Sequence, residues 1–204
     1  MAEYISITAS EPEEDILGLA IECFNSGGVV IYPTDTIYAM GCSLNKPQAI
    51  EKMARIKGIR ADKAVFSLIF HDFASIANYT QPGNTAIYKL MKRCLPGAFT
   101  FILNANASIS RLMNTRRKTV GVRIPGNPIT LKLVEILGCP IVSTSLHDED
   151  EIVKFPTDPM DIFNHYEDKV DMLIDGGFGH NEESTIIDCT SGEPLLVRQG
   201  AGIL

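Results

Sequence analysis

The segment 27–41 constrains the fold of this 204-residue chain more than any other. It begins with an apolar strand at residues 29–32, which runs directly into Pro33. Proline fixes φ and has no N–H to donate to a neighbouring strand, so the chain must leave the sheet there. A rigid strand followed by short polar side chains is typical of a small-molecule site, although a plain Thr/Asp turn would show the same pattern. The polar residues are Thr34, Asp35, Thr36 and Tyr38.

Strand-like and helical segments alternate along the rest of the chain, which predicts an α/β layer structure, and the length suits a single domain over residues 1–204. Ser10 with Glu13 predicts one helix start as a capping box, and Asn84 and Asn127 predict two more. Gly138 predicts a helix end. Nine strands are expected, at residues 4–7, 29–32, 65–70, 100–103, 119–124, 141–143, 172–174, 185–188 and 195–198.

Two further features indicate where the protein works. No apolar run approaches the roughly 20 residues of a membrane span, and the N-terminus lacks the basic and apolar regions of a secretory signal. The five cysteines are odd in number and widely spaced, which is typical of reduced core residues. We therefore expect a cytoplasmic protein without a membrane partner.

The positive charge is concentrated in one part of the sequence. Residues 46–132 hold 15 of the 18 Lys and Arg residues but three acids, so that this stretch carries +12 and the rest of the −7 chain carries −19. The pattern predicts a basic face for nucleotide phosphates, a carboxylate or an RNA backbone. Alternatively, the cations are scattered over exposed helix faces. The basic cluster at residues 115–118 has no interleaved aromatic residues, so any RNA contact would be to phosphates.

A series of short motifs resembles the signature of a known family. The segment 33–41 has the form P-T-[ED]-T-x-Y-[GA]-[LM]-G, and further matches follow in order. They are Lys57-Gly58, residues 95–100 (Leu-Pro-Gly-Ala-Phe-Thr), 121–125 (Gly-Val-Arg-Ile-Pro), 143–145 (Ser-Thr-Ser), 175–177 (Asp-Gly-Gly), 183–188 (Glu-Ser-Thr-Ile-Ile-Asp) and 198–200 (Arg-Gln-Gly). Together they resemble the YrdC-like threonylcarbamoyl-AMP synthase family.

The resemblance implies a fold and a reaction. The fold is a twisted mixed sheet with flanking helices and an open concave face, which the charge pattern predicts to be basic. The reaction converts threonine, bicarbonate and ATP into threonylcarbamoyl-AMP and pyrophosphate, for the modification of transfer RNA, with Mg²⁺ accompanying ATP. All reacting species are anionic, so such a site works by positioning and charge compensation. We assign no general acid, base, nucleophile or metal ligand.

The resemblance also assigns ten binding residues. Those for L-threonine are Thr34, Tyr38, Arg123, Ser184 and Thr185. Those for the nucleotide are Lys57, Arg60, Ser143, Ser145 and Arg198. Arg123 is the strongest candidate on its own chemistry, because a guanidinium within an apolar strand must be paired, and its fork suits a carboxylate. A structural pair with a core acid such as Asp188 is the alternative.

Two departures from the family pattern are similar to the YciO-type branch. The family's Lys-x-Arg is replaced by Lys57-Gly58-Ile59, with Arg60 displaced by one position. The family's Ser-x-Asn is replaced by Ser145-Leu146-His147, followed by four acids at residues 148–151, which would repel phosphate groups. We therefore expect low or altered activity. The alternative is a non-catalytic module that binds double-stranded RNA or transfer RNA through residues 46–132.

Overall fold

The computed structural model describes residues 1–8, 14–113, 115–146 and 156–204. Ten strands and six α-helices alternate in these ranges. The strands are β1 Glu3–Ser6, β2 Val30–Tyr32, β3 Ala39–Ser43, β4 Ser67–Ile69, β5 Phe99–Asn104, β6 Thr119–Arg123, β7 Ile141–Ser145, β8 Met172–Asp175, β9 Thr185–Asp188 and β10 Leu195–Arg198. The helices are α1 Glu14–Ser26, α2 Pro47–Ile56, α3 Thr85–Cys94, α4 Ala107–Leu112, α5 Pro128–Leu137 and α6 Pro159–Tyr166, with short 3₁₀ helices at Ala61–Lys63 and Ser75–Asn78.

Two asparagine caps and one glycine form the helix boundaries that the sequence predicts. The Asn84 side chain accepts a hydrogen bond from the Ile87 backbone at 2.9 Å, and Asn127 does the same for Thr130 at 3.1 Å. These bonds satisfy amide groups that have no partner within the helix. Gly138 ends α5 with a left-handed φ of 68°, as predicted. The predicted capping box at Ser10 and Glu13 lies outside the described residues.

All ten strands form one mixed sheet in the order β1-β8-β2-β3-β7-β4-β6-β5-β9-β10. The pairs β1–β8, β8–β2, β4–β6 and β5–β9 are parallel, and the others are antiparallel. This confirms the predicted α/β architecture with a mixed, open sheet. None of the helices in the described ranges is long and apolar enough to span a bilayer.

The sequence prediction missed β3. Its residues, Ala-Met-Gly-Cys-Ser, lack the β-branched and aromatic side chains that favour strands. It forms nonetheless because both of its edges pair, with β2 on one side and β7 on the other. A Cβ at Gly41 would meet Tyr32 Cε1 at 2.9 Å and Ile141 Cγ2 at 2.5 Å, so glycine allows these strands to pack closely. The predicted strand at 65–70 is shorter, at Ser67–Ile69.

The two faces of the sheet are covered to different extents. One large apolar cluster includes buried residues of α2, α3, α6 and the sheet. On the opposite face, residues of α1 and α5 cluster with Val30, Tyr32 and Ile141 over the β8-β2-β3-β7 part of the sheet. Farther along that second face, alternate residues of β4, β6, β5 and β9 line an open cavity.

Candidate functional site

The cavity on this second face has a volume of about 280 Å³. Same-face residues of several strands form it, and Gly121 lies among them. A Cβ at Gly121 would meet Ser67 Oγ at 2.5 Å, so glycine keeps this strand position open. The other lining residues are Thr36, Ile37, Ala39, Val65, Phe66, Ser67, Ile69, Thr100, Ile102, Arg117, Thr119, Arg123, Ser143, Thr144, Ser145, Glu183, Ser184, Ile186 and Arg198.

Arg123 ends β6 at the cavity and is 8 % exposed. Its Nη2 donates to Thr36 Oγ1 at 2.8 Å, to Thr34 Oγ1 at 3.4 Å and to the Asp35 carboxylate. The charge partner is therefore Asp35, two residues after the proline that follows β2, and not Asp188. Asp188 instead accepts the Thr190 backbone N–H at 2.8 Å.

One nitrogen of the same guanidinium is left without a partner. Arg123 Nε is buried and makes no hydrogen bond to any described residue. A buried N–H without an acceptor is costly, by about 1–3 kcal/mol, so native proteins rarely leave one unpaired unless a ligand or water supplies the acceptor. Arg123 is thus held in place through Nη2, while Nε keeps an unused donor.

The turn between β2 and β3 is built by Thr34. Its hydroxyl accepts from the Thr36 N–H at 3.0 Å and donates to the Ile37 carbonyl at 2.7 Å. These bonds make a local turn of the kind that Thr side chains stabilise. Thr34 itself does not line the cavity, whereas Thr36, which the sequence analysis did not select, does.

Tyr38 and Thr185 are buried, and neither belongs to the cavity lining. The Tyr38 hydroxyl donates to the Gly177 carbonyl at 2.7 Å and accepts from the Gly176 N–H at 3.1 Å, which connects the residue before β3 to the loop after β8. Burial raises the pKa of Tyr38 to about 12, so the phenol stays protonated. Thr185 donates to the Gly202 carbonyl at 2.7 Å, which secures the C-terminal segment.

Ser184 does line the cavity, beside a residue that the sequence analysis missed. Its Oγ lies 2.8 Å from Thr100 Oγ1, and both side chains are buried. Two adjacent hydroxyls of this kind can donate to or accept from a polar ligand group. Thr100 belongs to the Leu-Pro-Gly-Ala-Phe-Thr motif, whose last position could have pointed to it.

The predicted nucleotide residues fall into two groups. Ser143, Ser145 and Arg198 line the cavity, whereas Lys57 and Arg60 do not. Ser143 Oγ receives a hydrogen bond from the buried Tyr32 hydroxyl at 2.6 Å. Lys57 Nζ lies 3.4 Å from the Ser145 carbonyl, close to the cavity, but Arg60 pairs with Asp62 at the surface with 74 % of its side chain exposed.

Arg198 makes several contacts at the cavity rim. Its Nε and Nη2 donate to the Ser184 carbonyl at 3.2 and 2.8 Å, and its Nη1 contacts Glu183 Oε2 at 2.7 Å. Glu183 is a lining carboxylate that the sequence analysis did not select, although it begins the Glu-Ser-Thr motif. Arg117, from the basic cluster, also lines the cavity.

Part of the charge of residues 46–132 is compensated by acids from elsewhere in the chain. Lys52 pairs with Asp171 at 2.6 Å, Lys132 contacts Glu14 at 3.6 Å, and Arg123 pairs with Asp35. A continuous positive face for RNA stays a prediction. His147 and the acids at residues 148–151 lie outside the described residues, so their effect on phosphate binding also stays a prediction.

Comparisons with known proteins identify the family. A family model described as "Telomere recombination", for Sua5, YciO and YrdC proteins, matches residues 22–200. The chain belongs to the Sua5/YciO/YrdC family. It is 37 % identical to YciO of Escherichia coli, an uncharacterised protein, over 99 % of this chain and 97 % of the relative. The crystal structure of E. coli YciO superposes with a TM-score of 0.90 at 35 % identity and covers 100 % of this chain and 98 % of that one.

Two relatives have names that mention a substrate or a product. The chain is 31 % identical to the threonylcarbamoyl-AMP synthase of Bacillus subtilis, over 84 % of its own length and 49 % of that protein. The crystal structure of P. abyssi Sua5 complexed with L-threonine matches with a TM-score of 0.87 at 28 % identity, over 97 % of this chain and 57 % of that chain. The family and fold expectations are therefore confirmed.

Proposed function

We propose that the cavity binds L-threonine and ATP, and that the protein is a threonylcarbamoyl-AMP synthase-type nucleotidyltransferase of low or altered activity. Buried Arg123 carries this proposal, because it lines the cavity with a guanidinium that keeps an unused donor at Nε, and a carboxylate is a group that a guanidinium binds well. The relatives add support, since one is a threonylcarbamoyl-AMP synthase and another was crystallised with L-threonine.

The threonine end of the cavity would use few direct contacts. Arg123 would hold the carboxylate, and the paired hydroxyls of Thr100 and Ser184 would meet the polar atoms of the substrate. Thr34, Tyr38 and Thr185 would support the cavity wall and would not contact threonine, because their hydroxyls bond to backbone groups of the protein. Held in this way, the threonine amine would attack the carbon of bicarbonate, and the N–C bond of the carbamate would form as a C–O bond breaks and water leaves.

The nucleotide would extend toward the rim. Arg117 and Arg198 line that part of the cavity, and Lys57 lies near Ser145. Glu183 is the one carboxylate among the described lining residues. The described residues contain no group of three or more His, Cys, Asp or Glu side chains that could cage a metal. Mg²⁺ would therefore enter with the phosphates of ATP, with Glu183 as a candidate ligand, which is how proteins commonly bind this ion.

The proposed reaction needs positioning more than acid–base chemistry. A carbamate oxygen attacks the α-phosphorus of ATP, a new P–O bond forms, and the bond to pyrophosphate breaks. Arg123 would neutralise the threonine carboxylate, and the apolar side chains of Ile37, Ile69 and Ile102 would limit water near it. The cytoplasmic location predicted from the sequence belongs to this proposal.

A nucleotide assay tests the proposal. The purified protein is incubated with ATP, Mg²⁺, L-threonine and bicarbonate, and the nucleotides are separated by chromatography. We expect threonylcarbamoyl-AMP and pyrophosphate to form, with both threonine and bicarbonate required, and Arg123→Lys to reduce formation by at least about tenfold. Binding of neither threonine nor ATP, with no product, would overturn the proposal. Threonine binding without product would keep the amino-acid site and reject the transferase activity.

A further inference from the structure

A second cavity, with a volume of about 360 Å³, lies between the 3₁₀ helix Ser75–Asn78, helix α3 and strand β5. Its walls are mainly apolar, and several of them are buried: Ile76, Ile87, Met91 and Leu103. The rings of Phe73 and Tyr88, which also line it, meet edge to face with centroids 5.1 Å apart. Concave apolar sites with aromatic walls are typical of small-molecule binding.

The polar groups of this cavity indicate which class of ligand would fit. Gln81 Nε2 donates to the Ala105 carbonyl at 3.0 Å, and Asn104 Nδ2 donates to the Thr190 carbonyl at 3.0 Å. One of the two N–H groups of the Gln81 amide is used in this way, which orients the side chain, and its carbonyl oxygen can accept a hydrogen bond from a ligand.

Charge separates this cavity from the first one. None of the described residues that line it is Asp, Glu, Lys, Arg or His, although Lys92 lies over the outer Tyr88 ring at 5.2 Å from its centroid. Burial raises the pKa of the lining Cys189 thiol to about 11, so this group is also uncharged near neutral pH. An ion would lose its hydration here without gaining a partner of opposite charge.

The two cavities lie on opposite sides of strand β5. Thr100 and Ile102 line the first cavity and Leu103 lines the second, because side chains alternate along a strand; Asn104, at the end of β5, also borders the second cavity. Occupation of the second cavity therefore does not need the first one to be empty. We propose that this second cavity is a binding site for a small, flat, uncharged molecule that carries one N–H or O–H donor.

Methyl NMR with indole as the probe tests this inference. The seven methionines provide labelled reporters, of which Met91 lines the second cavity, whereas Met40 and Met172 are buried elsewhere. We expect indole to shift the Met91 methyl signal in a saturable way and to leave Met40 and Met172 unchanged. The signal of Met91 is assigned by its loss in Met91→Leu.

A pair of surface variants controls for non-specific binding. Ala77 is exposed and lines the cavity, so Ala77→Phe should fill part of it and weaken indole binding by at least about tenfold. Ala86 is exposed on α3 and does not line it, so Ala86→Phe should retain the wild-type affinity. Benzoate, which is flat but anionic, should produce no saturable Met91 shift.

Three outcomes would overturn the inference, and none depends on synthase activity. The first is the absence of a saturable Met91 shift, or equal shifts at Met40 and Met172. The second is an unchanged indole affinity in folded Ala77→Phe. The third is benzoate binding as tightly as indole, which would reject the uncharged class of ligand. The first and third are measured on the wild-type protein, so the test does not rely on the folding of any variant.

Discussion

Arg123 and Arg198 both line the first cavity, but the protein uses their guanidinium groups differently. Arg198 has all three nitrogens in contact with the Ser184 carbonyl or Glu183, and 36 % of its side chain is exposed. Arg123 bonds to Thr34, Asp35 and Thr36 through Nη2, has 10 % of its side chain exposed, and leaves Nε without a partner among the described residues. A residue type alone therefore does not define a ligand site. What matters is how much of its bonding capacity the fold leaves open.

The two arginines should differ most in what their carboxylate partners contribute to stability. Asp35→Ala leaves the Arg123 guanidinium buried without a counter-charge and should lower the free energy of unfolding by about 3 kcal/mol. Glu183→Ala leaves a part-exposed Arg198 and should lower it by about 0.5 kcal/mol. Urea unfolding of both variants measures these values. Equal losses would mean that the two ends of the cavity do not differ in this way.

A substitution at Gly121, in the first cavity, should affect threonine binding without removing a charge. In Gly121→Ala the new methyl group meets Ser67 Oγ and Thr100 Cγ2 within the cavity, so threonine affinity should fall by about tenfold. Gly18→Ala is the control, because no atom of the described residues lies within 4 Å of a Cβ placed at Gly18, which is inside helix α1. It should stabilise the protein by about 0.5–1 kcal/mol and leave threonine affinity unchanged. For both variants, calorimetric titration measures the threonine affinity and urea unfolding measures the free energy of unfolding.

A variant of Tyr38 tests the distinction between residues that bind the ligand and residues that support the cavity wall. Tyr38→Phe removes a hydroxyl that bonds to Gly176 and Gly177, so the free energy of unfolding should fall by about 1 kcal/mol. Threonine affinity should stay within about twofold of wild type. A large loss of threonine affinity with little loss of stability would mean that Tyr38 contacts the ligand directly.

The same variant makes a prediction about pH. The folded protein raises the pKa of Tyr38 from 10.0 to about 12, so it holds this proton more tightly than the unfolded chain does. The contribution to stability is therefore complete below pH 10 and is lost as the pH rises from 10 toward 12. Unfolding measured across this interval should show a smaller decline for Tyr38→Phe than for wild type. Parallel declines would contradict the assigned role of burial.

The smallest of the predicted effects is the binding of duplex RNA. Lys52, Arg123 and Lys132 each have a carboxylate partner from outside residues 46–132, which leaves less charge to neutralise phosphates. Any binding to duplex RNA should be weak, independent of sequence and steeply dependent on salt. Titration at two salt concentrations measures this. Tight binding that does not respond to salt would contradict the compensation inferred here.

Much of the fold could be predicted from local sequence patterns. The strands β9 and β10 have the predicted bounds, and Asn84, Asn127 and Gly138 act at helix ends as their chemistry suggests. Strand β3 could not be predicted in the same way, because its pairing with two neighbours, and not its own side chains, makes it a strand.

The site was less accessible from sequence than the fold. The motifs marked the segments that form the cavity, since Thr36, Thr100 and Glu183 all lie within them. They did not reveal which hydroxyl in each segment faces the cavity. The Arg123–Asp35 pair joins residues 88 positions apart, so spacing gave no indication of it. Local patterns predict where chains turn, whereas the partners of a side chain depend on long-range packing.

The most direct test of the account is whether Arg123 recognises a carboxylate. Calorimetry compares L-threonine with L-threoninol, which lacks that group, on wild type, Arg123→Lys and Arg198→Lys. We predict that wild type prefers L-threonine by about thirtyfold, equivalent to about 2 kcal/mol, that Arg123→Lys loses most of this preference, and that Arg198→Lys retains it. Equal affinity of wild type for the two compounds, or an unchanged preference in Arg123→Lys, would contradict the central claim.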